Sequence, residues 1–137
     1  MKLPYYLKVT DSVKYADSKM CRIRINPDYE NHEGLMAHEY EHVKQWYAFL
    51  APFLIAAIVC WFTYSDSIAI ALAFFSLLAK GLAYTFIKGV RFELEARAYR
   101  KQLEVQGPQN LEVFAKALAE GYDLNVSVEE ARKKIKG

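Results

Sequence analysis

Residues 46–87 of the 137-residue chain read WYAFLAPFLIAAIVCWFTYSDSIAIALAFFSLLAKGLAYTFI, a stretch that is almost entirely apolar. It divides at Ser65-Asp66-Ser67 into 19 uncharged residues, 46–64, and 20 residues, 68–87, whose only charge is Lys80. Each part is close to the roughly 20 residues with which an α-helix crosses the apolar core of a bilayer. The sequence therefore predicts an apolar helical hairpin over residues 46–87 that spans a membrane.

The charges around the hairpin predict its orientation. Lys44, Lys88 and Arg91 flank its outer ends, whereas the connecting loop has no positive charge. Because cytoplasmic flanks of membrane spans are enriched in Lys and Arg, both termini are expected in the cytoplasm. Lys80 is expected to face protein or to extend toward the membrane surface, since a lysine facing lipid is costly. The alternative is a hairpin buried in a soluble domain or dimer.

The rest of the chain carries nearly all of its charges. The net charge is only +2, and no basic run is longer than residues 132–134, so a nucleic-acid partner is not expected. The apolar content of 53% also excludes intrinsic disorder.

Short strands and several helices are predicted outside the hairpin. Apolar and basic residues alternate over residues 20–25, which predicts a strand, and Asn31 is a candidate cap for the helix that follows. Apolar spacing predicts helices over residues 90–105 and from Leu111 to near Gly121, and Ser127 with Glu130 forms a capping box for a last helix. The expected fold is mainly α with a small N-terminal β-sheet, in one domain over residues 1–137.

The most specific motif is His38-Glu39-Tyr40-Glu41-His42, an H-E-x-x-H pattern on a predicted helix. Residues four apart share one helix face, so both imidazoles can bind one metal ion. Glu39 can then reach a water bound to that metal and accept its proton as general base. Two imidazoles and a carboxylate favour Zn²⁺ as the ion.

A third protein ligand is expected from the segment that follows the hairpin. Glu93 and Glu95 are both candidates, but they lie about 200° apart around a helix, so one of them faces the metal. The apolar stripe of that helix lies between the two carboxylates, and its periodicity does not choose between them. His32 is expected to act as a cap or to lie on the surface.

The two motifs together resemble a known family. H-E-x-x-H followed by a helix with E-x-x-A is similar to the gluzincin branch of the zincin metallopeptidases. The apolar hairpin between the motifs resembles the membrane-embedded heat-shock and CAAX-prenyl metalloproteases, and the chain length is closer to the small phage-type minigluzincins. The similarity covers roughly residues 20–105.

The resemblance implies roles for individual residues. His38, His42 and Glu93 match the three metal ligands when Ala96 is aligned with the alanine of E-x-x-A, and Glu39 matches the general base. Arg97 follows Ala96 where the family usually has Asp or Asn, and this departure keeps Glu95 open as the ligand.

The predicted function is that of a membrane-associated zinc metallopeptidase with its active site at the cytoplasmic face. Its partners would be a peptide or protein substrate and the lipid bilayer, and the strand at residues 20–25 could bind substrate by strand addition. Tyr99, Arg97 and His32 are candidate donors to the oxyanion. The alternative is a non-catalytic membrane hairpin protein in which a metal only joins two helices. The sequence does not give the oligomeric state.

Overall fold

A computed structural model describes residues 3–137, which form three short strands and five α-helices. The strands are β1 (Tyr6–Val9), β2 (Ala16–Lys19) and β3 (Arg22–Ile25), and they form one sheet in the order β1-β3-β2. Strand β1 is parallel to β3, whereas β2 is antiparallel to it. The predicted class, mainly α with a small N-terminal sheet, is confirmed.

Strand β3 shows the predicted alternation. Ile23 and Ile25 are fully buried, while Arg22 is exposed on the opposite face. The strand begins at Arg22 rather than at residue 20, because Met20 and Cys21 form the turn after β2 and Met20 adopts a left-handed φ of 56°. As the central strand, β3 has both edges paired, which leaves β2 as an edge strand.

Helix α1 (Glu33–Thr63) contains both the H-E-x-x-H motif and the first apolar segment. At 31 residues it is about 46 Å long. Its N-cap is His32, whose Nδ1 accepts a hydrogen bond of 3.1 Å from the Leu35 N–H. The N-cap of α1 is therefore His32 and not Asn31, the residue predicted from the sequence. The expected capping role of His32 is confirmed.

Helix α2 (Asp66–Phe86) returns along α1 and packs against it through small residues. Ala57 of α1 and Ala69, Ser76 and Ala79 of α2 are buried. At the other end of the hairpin, Nε1 of Trp46 donates to the Leu77 carbonyl at 3.3 Å. Small side chains allow the two backbones to approach closely, so few large side chains of the hairpin lie between the helices.

Most large apolar side chains of the hairpin point away from the rest of the chain. Phe62, Phe74 and Phe86 are 80%, 67% and 78% exposed. Both α1 and α2 are long and apolar enough to cross a membrane, and only 11% and 17% of their most apolar windows are buried.

The remaining three helices pack against one another and form a hydrophobic core of their own. They are α3 (Lys88–Gln106), α4 (Leu111–Gly121) and α5 (Val128–Lys136). Leu118 of α4 and Ala131 and Ile135 of α5 are fully buried against Ala96 of α3. The predicted capping box is present, since Ser127 accepts from the Glu130 N–H and Glu130 accepts from the Ser127 N–H. This core fixes the face that α3 turns toward α1.

Candidate metal centre

Helices α1 and α3 bring two histidines and one glutamate together. His38 and His42 lie one turn apart on α1, and Glu95 meets them from α3. All three side chains are buried, with Glu95 only 3% exposed. One ligand atom from each lies within 4.8 Å of the other two, so the group could bind a metal ion.

The distances within this group suit a small tetrahedral cation. Oε2 of Glu95 lies 3.7 Å from Nε2 of His38 and 3.5 Å from Nε2 of His42. Zinc bonds of about 2.0–2.2 Å in a tetrahedron separate the ligand atoms by about 3.3–3.6 Å. The two separations are therefore close to those that zinc coordination needs.

The polar atoms of the centre are also arranged so that a cation could bind between them. Among the described residues, Oε2 of Glu95 has no hydrogen-bond partner although it is buried. A buried carboxylate oxygen without a partner is costly, and a cation between it and the imidazoles removes that cost. Burial raises the pKa of the Glu95 carboxyl, but the neighbouring imidazoles of His38 and His42 outweigh it and hold this pKa below its usual range. The carboxylate is therefore ionised and able to bind a cation at neutral pH.

Two neighbouring residues, Gln45 and Tyr84, hold the side chains of His42 and Glu95 in position. Nδ1 of His42 lies 2.9 Å from Oε1 of Gln45, and Nε2 of Gln45 donates to the Leu94 carbonyl at 2.8 Å. Because Oε1 of Gln45 is an acceptor, Nδ1 of His42 is the protonated nitrogen and Nε2 keeps its lone pair for a metal. The hydroxyl of Tyr84 donates to Oε1 of Glu95 at 2.7 Å. Neither Gln45 nor Tyr84 is found by the sequence motif, since each acts through a contact that only the packed helices create.

We expect Gln45→Ala to weaken metal binding by about 10- to 100-fold, because the His42 ring loses the acceptor that orients it. Competition with a chromogenic chelator measures the affinity. Gln102→Ala is the matched control, since Gln102 is a buried glutamine of α3 that bonds to Gln106 instead of to the centre. Equal affinities of the two variants would contradict the supporting role of Gln45.

The structure places Glu93 outside the centre. Its carboxylate accepts from Nε of Arg97 at 2.7 Å and pairs with Lys134, and its side chain is 35% exposed. The Lys134 ammonium and the Arg97 guanidinium lower the pKa of the Glu93 carboxyl. The expectation that Glu93 joins the histidines is corrected to Glu95. The physical reason is the turn of about 200° between the two side chains, which points Glu93 toward α5 when Glu95 faces α1.

Of the three expected oxyanion donors, Arg97 and His32 lie away from the centre, and only Tyr99 packs against one of its histidines. Arg97 binds Glu93, and Nε2 of His32 lies 3.1 Å from Nε2 of Gln106 at the start of α1. Tyr99 packs its ring 4.6 Å from that of His38, and its hydroxyl lies 3.2 Å from that of Tyr122. Tyr122 itself lines the pocket next to the centre, and burial raises the pKa of its hydroxyl, so it stays a proton donor.

The centre opens into a pocket of about 820 Å³. Residues of the β2–β3 hairpin line it together with residues of helices α1 and α2, among them Trp46, Leu77 and Tyr84. Glu39, the expected general base, lines this pocket together with His38, His42 and Glu95.

Edge strand β2 borders the pocket along its whole length, from Ala16 to Lys19. An edge strand has unpaired backbone groups that can bind an extended peptide, whereas β3 is paired on both sides. Residues 22–25, where strand addition is expected, form the central strand and so have no free edge, whereas β2 has a free edge next to the pocket.

Comparison of the chain with protein-family models, with curated proteins and with solved structures finds no match.

Proposed function

We propose that the protein is a zinc-dependent metallopeptidase associated with a membrane. The observation that carries this proposal is the buried group of His38, His42 and Glu95 at a pocket that also contains Glu39. A metal that only joined two helices would need no pocket and no additional carboxylate beside it. The pocket and the second carboxylate together favour catalysis.

His38, His42 and Glu95 would hold the ion, and their two nitrogens and one oxygen suit zinc. Such an ion would supply Lewis-acid chemistry, by lowering the pKa of a water and polarising a carbonyl group. Glu39 accepts the proton of the attacking water and passes it to the leaving amine. Gln45 and Tyr84 hold His42 and Glu95 in place during these steps.

Strand β2 provides the place where a substrate would bind. An extended peptide that pairs with its free edge would lie along the pocket, which β2 lines from Ala16 to Lys19. Backbone pairing of this kind holds a peptide without selecting its side chains. Tyr122 is the hydroxyl donor that we propose for the oxyanion, since it lines the pocket.

We also propose that helices α1 and α2 span the membrane. Their apolar side chains are exposed to an extent that a soluble core helix does not show. Lys44, Lys88 and Arg91 flank the hairpin and its connecting loop has no positive charge, which favours termini and metal centre on the cytoplasmic side.

The test is hydrolysis of an unstructured protein such as casein by zinc-loaded protein purified in detergent. We expect wild type to generate new amino termini and Glu39→Gln to lower the rate by about 10²- to 10⁴-fold while it retains its zinc. Glutamine keeps the size of the side chain but is not a base, so the loss would be chemical.

Glu41→Gln is the matched control for this substitution. Glu41 lies in the same motif but pairs with Lys44, so its loss of charge leaves the rate close to that of wild type. If fully zinc-loaded wild type releases no more amino termini than Glu39→Gln, the protein is not a peptidase. That result would support the alternative hypothesis, a non-catalytic membrane hairpin protein with a structural metal.

A further inference from the structure

Lys80 is the one charged side chain within the apolar part of α2, and it does not face away from the protein. Its Nζ donates a hydrogen bond of 2.9 Å to the carbonyl oxygen of His42, and the side chain is only partly exposed. The expectation that Lys80 faces protein is thus confirmed. A lysine within an apolar membrane span costs free energy, and such residues usually face polar groups and have a function. The position of Lys80 next to His42, a candidate metal ligand, therefore calls for an explanation.

The ammonium of Lys80 lines the pocket and has unused donors. An ammonium has three N–H groups, and the His42 carbonyl accepts only one of them. No carboxylate of residues 3–137 forms an ion pair with Lys80, although Glu39 and Glu95 line the same pocket. A largely enclosed cation without an anionic partner favours binding of an anion.

The net charge of the pocket also favours binding of an anion. With a divalent ion bound, the two carboxylates of Glu39 and Glu95 and the ammonium of Lys80 leave one net positive charge. Lys19 and Arg22 add positive charge at the rim. Asp17, the remaining acidic residue of the lining, is already paired with Arg24. A substrate with a negative group near the scissile bond would balance this charge.

We propose that Lys80 is a specificity-determining residue that binds a carboxylate of the peptide substrate. The inference rests on the proposed peptidase function and names its substrate class: peptides with a carboxylate close to the bond that is cleaved. That carboxylate is either the free C-terminus of the peptide or the side chain of Asp or Glu. Both sources offer the same acceptor oxygens to the ammonium.

The experiment measures binding and does not need turnover. Zinc-loaded Glu39→Gln protein in detergent is immobilised and exposed to two mixtures of N-acetylated hexapeptides with the same randomised positions. One mixture ends in a carboxylate and the other in a carboxamide, and mass spectrometry quantifies the retained peptides. A preference for the first mixture identifies the C-terminus, whereas enrichment of Asp or Glu over Asn or Gln within the second identifies the side chain.

We expect at least one of these preferences to be about tenfold or more, as for a hydrogen bond to a charged group. Adding Lys80→Gln to the Glu39→Gln protein should abolish the preference, and adding Lys80→Arg should keep most of it. Glutamine can still donate to the His42 carbonyl, so a merely structural role of Lys80 would leave the preference intact. Lys88→Gln is the matched control, because Lys88 pairs with Asp123 and does not line the pocket.

The proposal is overturned if no carboxylate preference is found or if the preference survives in the Lys80→Gln protein. Its failure is distinct from that of the peptidase function. A Lys80-dependent preference without casein cleavage by wild type would leave an anion-binding pocket but no peptidase. Casein cleavage with no such preference would leave a peptidase with a different specificity.

Discussion

Replacing Glu95 by alanine is expected to remove the metal from the purified protein, whereas Glu93→Ala retains about one ion per chain. Glu95 supplies the buried oxygen that faces both imidazoles, while Glu93 pairs with Arg97 and Lys134 on another face of α3. Without Glu95, only two protein ligands remain, which is fewer than known zinc sites use. The two variants are a matched pair, since the same side chain is truncated two residues apart on one helix.

Inductively coupled plasma mass spectrometry of protein reconstituted with zinc and then dialysed measures this difference. His38→Ala and His42→Ala should lose the ion as Glu95→Ala does. Far-ultraviolet circular dichroism shows whether each variant keeps its helices, so that loss of metal is separated from loss of fold. Metal retained by Glu95→Ala but lost by Glu93→Ala would contradict the centre described above.

The histidine pair of the centre is predictable from sequence because it is local. His38 and His42 are four residues apart, and the pitch of a single helix is enough to place them on one face. The capping box of Ser127 and Glu130 is equally local, and it lies where the sequence predicts it. Contacts within one or two turns need no knowledge of how the chain packs.

The choice between Glu93 and Glu95 depends on packing and is not local. The apolar stripe of α3 lies between the two carboxylates, and α4 and α5 bury part of that stripe through Ala96. The remaining face, with Glu95, then turns toward α1. The sequence contains no signal for this rotation, because it is fixed by side chains of three other helices.

The roles of Gln45, Tyr84 and Lys80 also depend on packing and could not be predicted from the sequence. Gln45 lies one turn beyond His42, a spacing that many glutamines share, and its role appears only with its bond to the Leu94 carbonyl. Tyr84 reaches Glu95 from another helix. Lys80 is visible in the sequence as an exceptional charge, yet its link to His42 is a contact across 38 positions.

Carbonate extraction of cell membranes is expected to leave the wild-type protein in the pellet, with release only on addition of detergent. Helices α1 and α2 expose large apolar side chains along most of their paired length, and burial in a bilayer would stabilise them there. The segment of residues 68–87 contains ten Leu, Ile and Phe residues. On an insertion scale these contribute roughly 3–6 kcal/mol in favour of the membrane.

The double variant Phe74→Arg/Phe75→Arg is expected to move most of the protein out of the carbonate-resistant pellet. Both positions are exposed on α2, and each arginine near the middle of a span costs roughly 2.5–3.5 kcal/mol, so the pair offsets the whole apolar gain. Val105→Arg/Val113→Arg is the matched control, because these exposed valines lie on α3 and α4 outside the hairpin, and it should stay in the pellet. Release of wild type by carbonate without detergent would mean that the apolar faces of α1 and α2 are covered by protein, as in a soluble dimer, rather than by lipid.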